Sequence, residues 1–267
     1  MARDVVQSAQ IFQVSYGAGA RRGLALHCSL AHSGAWKTCF ATLEEPITID
    51  AFDLPGHGKS PDWDGQSDYV ALCRSVAEDL IGEEPVDLIG HSGGAVAALQ
   101  LALDRPDLVR TLTLIEPVLF AAARGTPEFE AWAEAMSPYV TALAKGERME
   151  AAESFARIWG TGTAWEEIEP RTRAYMAERI YLIAAGDPGL IEDNFGILGE
   201  GRLEALDLPV MIIVGGDSPP IIGVIAEAVA RRLPDVGLAE VPGAGHMLPI
   251  THPAQVAGLI DINLSRD

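Results

Sequence analysis

Ser92 stands in Gly90-His91-Ser92-Gly93-Gly94, between the apolar run Val86-Asp87-Leu88-Ile89 and a segment of small and aliphatic residues starting at Ala95. A serine hydroxyl attacks a carbonyl only when its oxygen is held clear of the backbone, beside a general base and next to backbone N–H groups that can hold an oxyanion. A sharp strand-to-helix turn meets these demands. It also strains the serine backbone and brings the flanking chain too close for side chains at positions 90 and 94, where this chain has glycine. Ser92 is therefore the expected nucleophile.

The base must arrive from elsewhere in the chain. Val241-Pro242-Gly243-Ala244-Gly245-His246-Met247 offers His246 on a glycine-rich loop directly after a strand-like run. A nucleophile, then an acid, then a late histidine is the order that alternating strands and helices impose on such a site. Two carboxylates follow strand-like runs between them: Asp217, in Gly215-Gly216-Asp217-Ser218-Pro219 after Val210 to Val214, and Glu116, after Leu112 to Ile115. Either one can hold the imidazole tautomer; Asp217 is the favoured acid and Glu116 the alternative. The oxyanion requires two amides. Gly93 supplies one at a helix amino terminus, and Ser29, with Leu30 as the alternate, supplies the other from the loop after Leu24 to His27.

The elements that must position these residues are legible as alternating patterns. Leu24 to His27, Ile47 to Phe52, Val86 to Ile89, Leu112 to Ile115 and Val210 to Val214 are short, mostly apolar runs that suit strands covered on both faces, with a last strand at Leu238 to Val241. Tyr69, Cys73, Val76 and Leu80 share one helical face, as do Ile221, Ile225, Val229 and Leu233, and a terminal helix begins near Pro253. Strand and helix in alternation argue for a mostly parallel central sheet flanked by helices, an α/β protein. The loosely alternating segment Val5 to Val14 reads as part of an antiparallel edge hairpin. Residues 117–200 break the alternation with helical patterns such as Phe129, Trp132, Met136 and Leu143, and hold many of the aromatic residues. They form the expected helical cap, inserted into a core of residues 1–116 and 201–267, with an apolar underside facing the nucleophile.

The chain has 267 residues, 48% of them hydrophobic, and 19 Lys and Arg against 38 Asp and Glu give a net charge of −19. Such a field repels nucleic acid and anionic membrane surfaces, so a small-molecule substrate is the expected partner, with a homo-oligomer left open. No apolar run reaches the roughly 20 residues of a membrane span and no signal segment follows the amino terminus, so a soluble cytoplasmic protein is expected. Cys28, Cys39 and Cys73 have no metal-ligand or Cys-x-x-Cys spacing. They read as buried thiols, and neither metal nor cofactor is expected.

Asp53-Leu54-Pro55-Gly56-His57-Gly58-Lys59-Ser60, the serine pentapeptide and Gly243-Ala244-Gly245-His246, in this order, resemble the α/β-hydrolase superfamily, in its cap-bearing branch. The resemblance covers nearly the whole chain and implies the α/β-hydrolase fold with an inserted cap. It implies that Gly56 and Gly58 serve a tight turn beneath the site and that His57 is structural. Two positions depart from the pattern: His27-Cys28 stands where the family usually has His-Gly, and Ser218 occupies the slot where relatives often carry the acid. Serine at the elbow sets the chain apart from the dehalogenases and epoxide hydrolases, which use aspartate there. The implied activity is a carboxylesterase-like hydrolysis through an acyl-enzyme. The alternatives are hydrolysis of a carbon–carbon bond in a diketone-like acid, with Arg171, Arg173 and Arg179 as cap cations for its carboxylate, and a non-catalytic ligand receptor on the same scaffold.

Overall fold

A computed structural model describes residues 10–266. Seven strands form one sheet in the order β1-β3-β2-β4-β5-β6-β7. They are β1 (Gln13–Gly17), β2 (Arg21–Leu26), β3 (Ile47–Phe52), β4 (Val86–His91), β5 (Val109–Ile115), β6 (Val210–Gly215) and β7 (Val236–Val241). Every neighbouring pair is parallel except β1 with β3.

The apolar runs sort their residues by alternation. In β6, Val210, Ile212 and Val214 join the core on one face while Met211 and Ile213 join the core on the other, and β5 divides Leu112 and Leu114 from Ile115 in the same way. Helices α1 (Lys37–Phe40), α2 (Tyr69–Ile81) and α3 (Gly93–Asp104) follow β2, β3 and β4. Five helices lie between β5 and β6: α4 (Pro127–Ala144), α5 (Arg148–Trp159), α6 (Pro170–Arg179), α7 (Tyr181–Ala185) and α8 (Asp187–Leu190). The chain then continues through α9 (Pro220–Ala230), α10 (Leu248–Thr251) and α11 (Pro253–Leu264). One core packs α2, α3 and α9 against the sheet; the other packs α1, α10 and α11 against its opposite face. No helix among the described residues is long and apolar enough to cross a membrane.

Local chemistry starts these helices where the sequence places them. The Asp68 carboxylate accepts the Ala71 N–H at 3.0 Å, Thr126 accepts that of Phe129 at 3.2 Å ahead of Pro127, and Pro253 opens α11. The strands β2 and β5 begin three residues earlier than their apolar runs. Their amino ends carry Arg21 and Arg110, whose guanidinium groups converge on the buried Asp87 at 2.6 and 2.8 Å. The two guanidinium groups compensate the buried Asp87 charge at strand ends where apolar periodicity is silent.

The amino-terminal hairpin is corrected. Residues 5–9 of the expected segment lie outside the described residues, and the edge strand β1 pairs with β3 rather than with its sequence neighbour β2. The link between β1 and β2 crosses the start of β3, where the Thr48 hydroxyl bonds both the N–H and the carbonyl of Gly19, at 3.0 and 2.9 Å. A Cβ at Gly19 would run into the Pro46 carbonyl, so only glycine lets the chain pass.

Candidate active site

Ser92, the expected nucleophile, sits on the sharp turn where β4 enters α3. Ser92 has φ 58° and ψ −121°, a conformation that costs a non-glycine residue roughly 1–3 kcal/mol and is sustained only by its surroundings. Here the Ser92 N–H donates to the Ile115 carbonyl at 2.9 Å. A Cβ at Gly90 would lie 2.5 Å from the Ala95 Cα, and one at Gly94 would lie 2.5 Å from the His27 carbonyl oxygen. Both obstacles are backbone and cannot yield. Gly90→Ala is expected to cost about 3 kcal/mol or more, seen as a fall in melting temperature of roughly 6–12 °C; a shift below 2 °C would show that the turn is looser than this geometry.

Register delivers the rest. His91 pairs with Ile115 across β4 and β5, so Ser92 and Glu116 leave the carboxyl edge of the sheet level with each other. Glu116 keeps its place in the ladder by donating its N–H to the Ile213 carbonyl at 2.8 Å, while its φ of 51° turns the chain sharply away. The loop after β7 folds back over β6 toward them. His246 Nε2 lies 3.0 Å from Ser92 Oγ, and its Nδ1 lies 2.8 Å from Glu116 Oε2. The other Glu116 oxygen accepts the Gly215 N–H at 2.6 Å. Glu116 is 0% exposed, His246 5% and Ser92 7%, so this chain of contacts runs in a dry, weakly screening setting.

Asp217, the acid favoured from sequence, is not in this chain. Its side chain is exposed. Beyond β6 the backbone is held by bonds from Gly216 N–H to the Val241 carbonyl and from Asp217 N–H to that of Ala244, which pin the turn against the β7 loop. The end of β6 thus serves the histidine's carboxylate through the Gly215 amide instead of contributing a carboxylate. Both ring nitrogens of His246 are already engaged, by Ser92 and Glu116.

The loop expected to supply the second oxyanion amide is tied down by a histidine whose bonding the sequence does not disclose. Leu30 has φ 61°, and its N–H donates to His57 Nε2 at 3.0 Å. That bond puts the His57 proton on Nδ1, 3.2 Å from the Pro55 carbonyl, and removes the Leu30 amide as an oxyanion donor. Ser29 lines the cavity above the nucleophile, its Oγ 3.4 Å from where a Cβ on Gly93 would stand. Cys28, at the position where glycine is usual, turns its buried thiol toward Met247, with the two sulfurs 3.9 Å apart, and does not line the cavity.

The other buried histidines are structural. Burial, and then the neighbouring His246, pull His91 down to about 3, and its Nε2–H donates to the His246 carbonyl at 2.9 Å. Burial pulls His27 down to about 4, and its Nε2 accepts the Leu54 N–H. Burial and the nearby His27 hold His57 well below the usual imidazole range. The turn Gly56 (φ 77°) to Gly58 (φ 54°) wraps the Asp53 carboxylate, which takes the N–H groups of Ser33 and Lys59. All three cysteines are free and buried, and burial pushes each thiol up to about 12.

Above Ser92 a cavity of about 100 Å³ runs between the sheet edge and the helices inserted after β5. Five of the aromatic residues in that insertion line it: Phe120, Trp132, Tyr139, Phe155 and Trp159. The Trp159 ring meets the His246 imidazole edge to face at 4.7 Å, so the inserted helices cover His246 directly. Arg171 and Arg179 line an adjoining outer groove that shares Ser29, Phe155 and Trp159 with the cavity, and Arg173 lies over the Trp165 ring, so none of the three arginines lines the cavity itself. One carboxyl does: burial, reinforced by the charge of Glu192, lifts Asp187 to about 6.

Comparison with known proteins agrees with this architecture. The chain is 35% identical to Lipase LipV of Mycobacterium tuberculosis (strain ATCC 25618 / H37Rv) over 58% of its own length and 56% of the lipase's. It is 24% identical to the pimeloyl-[acyl-carrier protein] methyl ester esterase of Nitrosomonas europaea over 88% of this chain and 92% of that one. Among solved structures, MGS-M2, an alpha/beta hydrolase enzyme from a Medee basin deep-sea metagenome library, superimposes with a TM-score of 0.75 at 15% identity, covering 96% of this chain and 94% of that one. The model of the alpha/beta hydrolase family matches residues 24–259, and with this sheet, this strand-to-helix turn at Ser92 and this match the chain belongs to that family.

Proposed function

We propose that this protein is a serine hydrolase of carboxylic esters, acting through an acyl-enzyme on substrates whose acyl part occupies the apolar cavity. The observation that carries this reading is the continuous contact from Ser92 Oγ through His246 to Glu116, at 3.0 and 2.8 Å, on a strained turn beside a helix amino terminus. Because Glu116 accepts at Nδ1, the proton of neutral His246 sits there and Nε2 faces the serine as an acceptor. His246 Nε2 takes the hydroxyl proton as Oγ adds to the ester carbonyl, and the imidazolium so formed is stabilised by the Glu116 carboxylate. The developing oxyanion takes the N–H groups of Gly93, at the start of α3, and of Ser29. His246 then gives its proton to the departing alkoxide, and water repeats the sequence to release the acid. Residues 117–200 act as the cap that keeps bulk water from the acyl group, with Trp159 pressed against the base.

Esters are favoured over diketone-like acids because no arginine of the insertion lines the cavity to meet a second carboxylate. The test is direct. A fluorophosphonate is expected to add to Ser92 with one-to-one stoichiometry, read by peptide mass, and short p-nitrophenyl esters are expected to give a burst of nitrophenol before steady turnover. A protein that binds acyl compounds but neither labels nor turns over would be the receptor instead.

A further inference from the structure

Nearly everything lining the cavity is apolar; on its inserted-helix wall the Trp159 indole N–H donates to Met136 Sδ at 3.4 Å, while three other polar side chains lack a well-formed partner. Asp187 opens α8 with a half-buried carboxyl; among the described residues no hydrogen bond or ion pair is made by that carboxyl, and the like-charged Glu192, itself paired with Arg124, adds to the effect of burial on it. Tyr139, 5% exposed on α4, has a hydroxyl with no well-formed hydrogen bond, although the Ala184 backbone lies beside it, and burial, reinforced by the charge of Asp187, holds it above the usual phenol range. Two turns earlier on α4, the Trp132 indole N–H is also buried and unpartnered. Buried polar groups are normally satisfied, so this cluster is an anomaly inside a pocket that otherwise suits a plain hydrocarbon chain.

Resting on the ester-hydrolase reading above, we infer that Asp187 and Tyr139 form a polar subsite for a hydroxyl group carried on the acyl chain of the substrate. A hydroxyl is the group that fits both: it donates to the Asp187 carboxyl and accepts from the Tyr139 hydroxyl. A carboxylate at that place would face the Asp187 carboxyl, and a methyl group would leave both polar side chains dry and unpaired. Asp187 is thus a residue of substrate choice, remote from the bond that breaks.

The test uses p-nitrophenyl esters of straight acyl chains from four to ten carbons, each ending in methyl, hydroxyl or carboxylate. At the chain length that reaches the subsite, kcat/KM for the hydroxyl ester is expected to exceed that of the methyl ester by about tenfold and the carboxylate ester to fall below both. Asp187→Leu is expected to collapse the hydroxyl-to-methyl ratio to one or below by lowering the first rate and raising the second, and Tyr139→Phe to reduce it partway. A ratio of one or less at every length in the unaltered protein overturns the inference, as does an unchanged ratio in Asp187→Leu. If no ester at all is turned over, the hydrolase reading fails separately. The dissociation constants of ω-hydroxy and unsubstituted long-chain methyl ketones, measured by calorimetry, then decide the subsite by the same ratio.

Discussion

Ser92→Ala is expected to lower kcat for ester hydrolysis by roughly 10⁵-fold or more while leaving KM and the melting temperature close to those of the unaltered protein. The substitution removes one oxygen from a residue that is 7% exposed and whose backbone is held by the Ile115 carbonyl and by glycines at 90 and 94. Alanine tolerates φ 58° no worse than serine, so the turn persists. The Gly93 and Ser29 amides persist too, which is why some rate above that in water remains. No covalent intermediate can form without Oγ, and the nitrophenol burst is expected to vanish together with fluorophosphonate labelling. Residual activity within a hundredfold of the original would mean that another group attacks the ester.

Glu116→Gln is expected to cost roughly 10³ to 10⁴ in kcat, and Asp217→Asn less than about twofold. The glutamine keeps the shape of the side chain and isolates the electrostatics. In the unaltered protein one carboxylate oxygen accepts from Gly215 N–H and the other faces His246 Nδ1. An amide has a single acceptor oxygen, and the Gly215 N–H requires it. The NH₂ group then points at Nδ1, which must give up its proton and accept, so the imidazole proton moves to Nε2 and faces Ser92. A base in that tautomer cannot take the serine proton. Asp217 is solvated in its turn, and its replacement changes nothing that touches His246. Steady-state kinetics on the two variants, with melting temperatures as a control for folding, decides between the carboxylates. A large loss in Asp217→Asn with little in Glu116→Gln would reverse the assignment made here.

The signal that separates the two acids was present along the chain but weak. Glu116 is the lone charge in the apolar stretch Leu112 to Leu119, and a charge carried into a core needs a partner there. Asp217 lies among Gly215, Gly216, Ser218 and two prolines, a composition typical of a solvated turn. The offset of Asp217 from the slot usual in the resembled family points the same way.

By itself the sequence determined what acts over a few residues. The glycines at 90 and 94 leave room for the nucleophile turn, the alternating apolar runs specify a sheet buried on both faces, and the glycine-rich segment before His246 marks a late loop leaving a strand. The choice between Glu116 and Asp217, the order that carries β1 past β2 to the edge, the bond from Leu30 N–H to His57 and the aromatic residues that line the cavity were decided only by tertiary structure. Glu116 and Asp217 each follow a parallel strand, so their place in the order of elements does not separate them. They differ because His91 pairs with Ile115 and sets Glu116 level with Ser92, while the turn after β6 is held to the β7 loop and faces water. Register and burial are properties of strands brought together from distant parts of the chain, and no local pattern of side chains carries them.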